Sequence, residues 1–283
     1  MNAAFQPLPD AGHLVHATGL PASSHLQRVL NSELHRVRTI HLPPPAPRTA
    51  LSEPGPFERA LRASRQGRGG AVIAEYKQGS PSLGPFAAGT PLLDQLGHYR
   101  EGGAACLSIL TEPTFFLGHS SHLEEARELR LPMLYKGFVI SEAQLLEAAA
   151  CGASAVLLIA RVLGAHTRDF AARARDLGLE PLVELHDLTE VPFAKGAAAR
   201  LVGINARDLA TFTLGAPTAA PLRESLPEAV LIRESGIVTP EDGAAALRAG
   251  FDAVLIGEAL MRSADPAGFL RRLFASLKHE AAS

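Results

Sequence analysis

The stretch VIAEYKQGSPSLG, residues 72–84, joins an apolar run to two opposite charges. Four apolar residues surround Glu75, and Lys77 follows two positions later. Because side chains alternate along a strand, Glu75 and Lys77 lie on one face, and a Ser-Pro-Ser turn comes next. The stretch therefore predicts a buried strand whose end presents charged groups to a functional site.

Similar apolar runs recur almost to the end of the chain. They begin near residues 71, 104, 132, 154, 180, 201, 229 and 253. Segments with helical periodicity, such as HLEEARELR and DFAARARDLG, separate most of them. Helix starts are indicated at three places: Ser121 with Glu124, Ser141 with Gln144, and Thr239 before Pro240.

Strands that are apolar on both faces and alternate with helices indicate a parallel sheet. Eight such units can close into a (β/α)8 barrel, which we expect over residues 71–283 as one catalytic domain. An open doubly wound sheet is the alternative. It is disfavoured because no GxGxxG follows the first strand and no P-loop occurs, while the GRGG at 67–70 precedes a strand.

Residues 1–70 are predicted to form an N-terminal extension with one or two helices that pack on the barrel. The segment 23–40 places apolar residues at helical spacing after a Ser cap, and a shorter helix is expected from Pro56. Residues 1–20 and the PPPAPR segment at 43–48 show no such period, so we expect them to lie on the surface or to be poorly packed.

Composition excludes several classes of protein. The chain has 283 residues, 47% of them hydrophobic, which is enough for a substantial core. Its net charge of -2 and scattered basic residues argue against a nucleic-acid partner. Two cysteines in apolar surroundings favour buried thiols in a reducing cytoplasm, and no run is long enough for a membrane span. We expect a cytoplasmic monomer.

Polar residues follow most of the predicted strands at the end where barrel enzymes carry their chemistry. Each alone reads equally well as a solvated charge at the start of a loop, but a whole ring is costly unless the charges are paired or used. The residues at these ends are Glu75, Lys77, Lys136, Glu184, Asn205, Arg207, Glu234, Ser235, Gly257 and Glu258.

An anion site is predicted after the last two strands. ESGIVTPED and LIGEALMR each place a small residue and Gly before a helix start, which exposes backbone N–H groups, and GEALMR is predicted to form a short extra helix. Ser80 and Ser82 can add hydroxyl donors. A Gly that only forms a turn is the alternative. His119 and His122 lack further ligands at metal spacing, so no metal is expected.

The chain resembles the indole-3-glycerol phosphate synthase family from about residue 22 to 275. The resemblance runs through VIAEYKQGSPSLG, LSILTEPTFFLG, LPMLYKGFVI, AVLLIA, EPLVELHD, VGINARDL, IRESGI and VLIGEALMR. It implies closure of 1-(2-carboxyphenylamino)-1-deoxyribulose 5-phosphate to indole-3-glycerol phosphate, with loss of carbon dioxide and water and without a cofactor.

The resemblance also implies roles for individual residues. Lys136 is the general acid, Lys77 the second lysine, which contacts the substrate carboxylate, and Glu184 the base or the stabiliser of positive charge on the anilino nitrogen. Glu75, Asn205, Arg207, Glu234 and Ser235 orient the substrate or the lysines, and Phe138 is an apolar wall. The phosphate pocket is formed by Ser80, Gly236, Gly257 and Glu258.

Two positions depart from the family pattern. Members usually have Asp directly after the strand 3 lysine, where this chain has Gly137, and a larger or basic residue where it has Gly79. Other functions therefore stay open. One is a phosphate-ligand-binding paralogue with weak or no activity, and another is a different phosphosugar barrel enzyme such as phosphoribosylanthranilate isomerase.

Overall fold

The computed structural model describes residues 8–40, 51, 54–81, 83–87, 89–205 and 218–279. Within these residues, eight parallel strands close into a barrel in which each strand pairs with the next along the chain and the last pairs with the first. The strands are β1 Ala71–Tyr76, β2 Cys106–Leu110, β3 Met133–Lys136, β4 Ala155–Ile159, β5 Glu180–Leu185, β6 Leu201–Asn205, β7 Val230–Glu234 and β8 Ala253–Ile256. The predicted (β/α)8 barrel is confirmed.

The strand register brings the predicted charges to one end of the barrel. Glu75 on β1 is opposite Ser108 on β2, and Asn205 on β6 is opposite Glu234 on β7. Nearly every strand residue is buried, because helices cover the outer face and side chains fill the interior. The polar residues at the strand ends are therefore held on rigid elements.

The helices follow the strands as the sequence predicts, with differences at their starts. Thr239 forms a capping box with Asp242, whereas Ser121 is the first helical residue and caps nothing. The α-helices are α1 Ala11–Ala17, α2 His25–Arg36, α3 Pro56–Arg68, α4 Leu92–Gly102, α5 Ser121–Ala126, α6 Glu142–Ala150, α7 Ala160–Leu163, α8 Thr167–Asp176, α9 Val191–Gly196, α10 Ala220–Ser225, α11 Pro240–Arg248, α12 Glu258–Arg262 and α13 Pro266–His279.

Helix α1 was not expected, because residues 1–20 carry no helical period. The Asp10 side chain accepts hydrogen bonds from two backbone N–H groups at its start, and Leu14 and Val15 are fully packed. Only these two residues are buried, and His16, Ala17 and Gly19 are exposed, so the described part of the segment lies on the surface as expected and is held there by one short helix. The PPPAPR segment at 43–48 lies outside the described residues.

Helix α2 is bound to the barrel through a buried polar network. Arg36 donates to Glu147 on α6 and to the Tyr135 hydroxyl on β3. Glu33 accepts a 2.7 Å hydrogen bond from Gln144 Nε2, and the same amide nitrogen donates to the carbonyl of Phe138. The network therefore connects the N-terminal helices to the loop that follows β3.

Candidate active site

The predicted site residues meet in one cavity of about 610 Å³ at the carboxyl ends of the strands. Those that line it are Glu75, Lys77, Ser80, Lys136, Phe138, Glu184, Asn205, Glu234, Ser235, Gly236, Gly257 and Glu258. Arg207 and Ser82 lie outside the described residues. Their common placement is observed, whereas the roles assigned to them stay predictions.

Lys136 lies at the centre of the cavity wall between two carboxylates. Its Nζ atom is 3.2 Å from Glu184 Oε2 and donates a short hydrogen bond to Glu234 Oε2. The side chains of both glutamates are 2% exposed, so the two carboxyl groups share this one ammonium group away from water. Strands β3, β5 and β7 thus supply one group each to an acid–base cluster.

The cluster separates the proton affinities of its two carboxylates. Burial raises the pKa of Glu234, and the neighbouring Glu184 raises it further against the attraction of Lys136. Burial also acts to raise the pKa of Glu184, but Lys136, His186 and hydrogen bonds from Glu234 and Asn205 outweigh it and lower the pKa. One proton-holding acid therefore lies beside one ionised carboxylate.

Lys136 is held in its protonated form by the carboxylates around it. Burial acts to lower the pKa of its ammonium group, but Glu234, Glu184 and Glu75 outweigh burial and raise the pKa above the ordinary value for lysine. The three carboxylates thus outweigh burial at Lys136.

Glu75 and Lys77 form a second ion pair, with Lys77 Nζ 2.8 Å from Glu75 Oε1. Glu75 Oε2 also accepts a 3.3 Å hydrogen bond from Ser108. The two charges at the end of β1 therefore neutralise each other at the mouth while Lys77 stays 19% exposed and free to meet a ligand.

Two glycines make room for these carboxylates. A Cβ atom at Gly203 would lie 2.0 Å from Glu234 Oε1, and one at Gly257 would lie 3.0 Å from Lys77 Nζ. A strand-interior glycine of this kind marks a close approach by another group. Gly203 therefore lets Glu234 fold against β6 and reach Lys136.

Asn205 and Ser235 support Glu184 from the neighbouring strands. Asn205 Nδ2 donates to Glu184 Oε1 at 3.3 Å, and Ser235 Oγ donates to Asn205 Oδ1 at 2.8 Å. Ser235 has a positive φ of 67°, which is unusual for a residue with a side chain, and Gly236 follows at 77°. The backbone after β7 is therefore strained at Ser235, where it lines the cavity.

The groups predicted to bind phosphate belong to the same cavity. Ser80, Gly236 and Gly257 line it, and α12 begins there with Glu258. The sequence reasoning missed Arg262, which also lines the cavity and is 3.2 Å from Glu258 Oε1. Its position four residues after Glu258 in GEALMR was the available signal.

Comparison with known proteins agrees with this geometry. The sequence model of the family described as "Indole-3-glycerol phosphate synthase" matches residues 26–273 of this chain. The chain belongs to the indole-3-glycerol phosphate synthase family.

Individual members of the synthase family match most of the chain. The indole-3-glycerol phosphate synthase of Paracidovorax citrulli is 42% identical over 226 residues, covering 77% of this chain and 85% of that protein. The synthase of Verminephrobacter eiseniae is 44% identical over 227 residues, with the same coverage. Among solved structures, thiamine phosphate pyrophosphorylase from Pyrococcus furiosus covers 74% of this chain and 96% of its own at a TM-score of 0.52. Its 14% identity shows the fold alone.

An apolar wall faces the lysines in this member of the synthase family. Phe138 and Phe116 both line the cavity, with ring centroids 5.8 Å apart. Glu112 folds the loop that carries Phe116 by accepting three backbone hydrogen bonds, from Thr114, Phe115 and Phe116. The buried carboxylate therefore shapes the wall without lining the cavity.

Gly137 and Gly79, the two departures from the synthase pattern, both lie in tight surroundings. A Cβ atom at Gly137 would lie 2.6 Å from Thr111 Oγ1 and 2.9 Å from the Tyr135 ring. At Gly79 it would lie 3.2 Å from the carbonyl oxygens of Gly84 and Phe115. Neighbouring groups thus occupy the space that larger residues would need.

Neither a metal centre nor a membrane span is found in the part of the chain that the structure describes. No group of three or more His, Cys, Asp and Glu side chains there is arranged to hold a metal ion. None of the helices in those residues has both the length and the apolar character needed to cross a bilayer. The expected absence of a cofactor stays a prediction.

Proposed function

We propose that this protein is an indole-3-glycerol phosphate synthase. It converts 1-(2-carboxyphenylamino)-1-deoxyribulose 5-phosphate to indole-3-glycerol phosphate in tryptophan biosynthesis, releasing carbon dioxide and water. The observation that carries the proposal is the position of Lys136, held between Glu184 and Glu234 in a cavity with an apolar wall and a glycine-rich rim.

Different lining residues of the cavity bind the phosphate and the aromatic acid of the substrate. The phosphate binds Ser80 and the backbone N–H groups near Gly236, Gly257 and Glu258. The positive φ angles of Ser235 and Gly236 form a turn after β7 of the kind that exposes backbone N–H groups to an anion. The aromatic acid lies against Phe138, with its carboxylate near Lys77. Fixing both ends holds the aryl carbon close to the ketone.

Ring closure needs a proton donor at the ketone oxygen, because that oxygen gains negative charge as the aryl carbon attacks. Lys136 donates this proton. Glu234, whose pKa is raised by burial and by Glu184, then returns a proton to the lysine through their direct hydrogen bond.

Loss of carbon dioxide restores the aromatic ring. The wall formed by Phe138 and Phe116 keeps water from the carboxylate and so disfavours its charged ground state. No protein group needs to form a covalent bond to the substrate at this step.

Dehydration completes the reaction. A lysine, Lys77 or Lys136, protonates the departing hydroxyl group, and Glu184 acts as base or stabilises positive charge on the nitrogen. The lowered pKa of Glu184, set by Lys136 against burial, keeps it ionised for this role. Asn205, Ser235 and Glu75 orient the substrate or the lysines. Arg207, which lies outside the described residues, is proposed to have the same role.

The assay combines purified protein with the carboxyphenylamino substrate and follows indole fluorescence, carbon dioxide release and the mass of the product. Stoichiometric indole-3-glycerol phosphate is expected. Saturable binding of the substrate without product would instead identify a binding paralogue, and an isomerised open-chain product would identify another phosphosugar enzyme.

The setting of the enzyme is also proposed. We infer a cytoplasmic monomer in which residues 71–283 are the catalytic domain and residues 1–70 are an extension that packs on it. The hydrogen bonds from α2 to β3 and α6 support the packing of this extension on the barrel. Light scattering on the purified protein gives the mass in solution, and a dimer mass would contradict the proposal.

A further inference from the structure

His186 lies directly behind the carboxylate that Glu184 presents to the cavity. It follows β5, and because side chains alternate along the chain, the two residues share one face. The His186 side chain is 3% exposed and is not among the described residues that line the cavity. Any effect of His186 on the substrate must therefore act through Glu184.

The imidazole ring is placed between two carboxylates. Its Nε2 atom is 3.3 Å from Glu184 Oε1, and its Nδ1 atom is 3.7 Å from Glu190 Oε2. Neither ring nitrogen has a hydrogen-bond partner among the residues that the structure describes. The backbone N–H of His186 fixes the outer carboxylate by donating to Glu190 Oε2 at 2.8 Å.

Beyond Glu190 the polar groups continue to the surface. Arg161 Nε donates to Glu190 Oε1 at 2.9 Å, and its other end donates to Asp187 Oδ2 at 2.9 Å. The Asp187 side chain is 47% exposed. Arg161 keeps its proton and holds the two carboxylates in place, so Glu190, whose side chain is 8% exposed, is the group through which a proton from water reaches His186 and the back of Glu184.

The proposed reaction consumes one proton from solvent in each turnover. Two protons are delivered to the ketone oxygen, which leaves as water, and one is recovered from the CH₂ group beside the anilino nitrogen. Carbon dioxide departs without a proton. A path on the side away from the cavity would deliver this proton without passing the bound substrate.

We propose that His186 is a positioning residue that relays this proton to Glu184 and thence to Lys136, an inference that rests on the proposed function. The ring accepts a proton on Nδ1 from the Glu190 side and releases the proton on Nε2 to Glu184 Oε1. The Glu184 carboxyl group then rotates and gives this proton to Lys136, whose Nζ atom is 3.2 Å from Oε2, while Lys136 gives one back to Glu234 and so replaces the proton that Glu234 had supplied. After the transfer the imidazole of His186 carries its proton on Nδ1. A ring flip or proton exchange returns it to the form protonated on Nε2, so His186 is not consumed.

The first test replaces His186 with Gln, which keeps polarity and size but cannot relay a proton. We expect kcat to fall by about tenfold to a hundredfold with KM changed less than about twofold, and the solvent deuterium isotope effect on kcat to rise. His98→Gln is the matched control, since His98 is an exposed histidine 3.9 Å from Glu101 and should retain wild-type kcat. An unchanged kcat in His186→Gln would overturn the relay.

The second test is chemical rescue. Imidazole added to His186→Ala should restore kcat in proportion to its concentration, while His98→Ala should not respond. A purely structural histidine predicts lower thermal stability with no rescue, and that pair of results would overturn the proposal.

A third measurement does not depend on turnover. In protein carrying ¹⁵N-labelled histidine, the ring signals that vanish in His186→Gln identify this residue. Glu190→Gln should shift the Nδ1 signal and Glu184→Gln the Nε2 signal. Absence of product in the wild-type assay would contradict the proposed function and, with it, the reaction that the relay serves, whereas an unmoved Nδ1 signal in a protein that forms the product would contradict the relay alone.

Discussion

A Cβ atom at Gly257 would lie 2.4 Å from Oε1 of Glu75. The end of β8 must therefore be a glycine for the ion pair of Glu75 and Lys77 to lie over it. The same glycine is proposed to present its N–H group to the phosphate, so one residue serves both the charge pair and the anion.

Gly257→Ala tests this relationship. The methyl group should displace the carboxylate of Glu75 and Lys77 with it, and we expect kcat/KM to fall by about tenfold or more, a loss of roughly 1.4 kcal/mol of transition-state stabilisation. The control is Gly97→Ala on α4, where a Cβ atom meets nothing within 4 Å. Equal activity of the two variants would contradict the steric argument.

Glu33 should make stability depend on pH. Burial raises the pKa of Glu33, and the charges of Glu112 and Glu147 raise it further, whereas Arg36 lowers it. The resulting pKa is about 7, compared with an ordinary value of 4.5. The folded state thus binds more protons than the unfolded state between these values, so the unfolding free energy falls as pH rises from about 4.5 to about 7. The loss should approach roughly 3 kcal/mol, because each pKa unit corresponds to about 1.4 kcal/mol.

Urea unfolding of Glu33→Gln at pH 5, 6, 7 and 8 measures this contribution. The variant keeps an acceptor for Gln144 but cannot titrate, so its unfolding free energy should depend less on pH than that of the wild type. Glu101→Gln, at a 65% exposed side chain, is the control and should follow the wild type. Parallel curves for Glu33→Gln and the wild type would show that folding leaves the pKa of Glu33 unchanged, which would contradict the prediction.

Gly137→Asp should not simply restore the family pattern. Its side chain must displace Thr111 Oγ1 or the buried Tyr135 ring, which overpacks this region by about 1 to 3 kcal/mol. We expect a lower melting temperature and altered turnover in Gly137→Asp, and partial recovery of stability when Thr111→Ala is added. Full stability together with an unchanged pH–rate profile in the single variant would refute both the steric and the catalytic importance of this position.

The proton held by Glu234 should appear in the pH dependence of kcat/KM. Burial and Glu184 raise the pKa of Glu234, and below that pKa Glu234 holds the proton that it returns to Lys136. Glu234 loses this proton as the pH rises through its pKa, so kcat/KM should decline on the basic side. Glu234→Gln should lower kcat and remove this decline. A wild-type profile that rises through the same range would contradict the assignment.

The sequence predicted the barrel because its strands are apolar on both faces and recur with helices between them. It also predicted which residues share the mouth, since the carboxyl ends of parallel strands meet at one edge. Helix α1 escaped notice because seven residues with two buried apolar side chains make no recognisable period. Its stability comes from packing, which local sequence does not reveal.

Pairing within the site could not be predicted. Lys136 reaches across the barrel to Glu184 and Glu234, whereas Lys77 stays with Glu75 on its own strand, and these choices depend on side-chain conformation. The space requirements at Gly203 and Gly137 likewise involve residues distant in the chain. His186 was passed over because its two carboxylate neighbours are apparent only after β5 and the following turn have folded.

Lys136→Ala provides the most direct measurement of the central claim, that this lysine donates the proton for ring closure. With the carboxyphenylamino substrate, we predict that indole fluorescence fails to appear even in a single turnover, while calorimetry still detects substrate binding. Lys195→Ala on α9, at an exposed lysine, should match the wild type in both measurements. Indole-3-glycerol phosphate formed by Lys136→Ala at the wild-type rate would contradict the account.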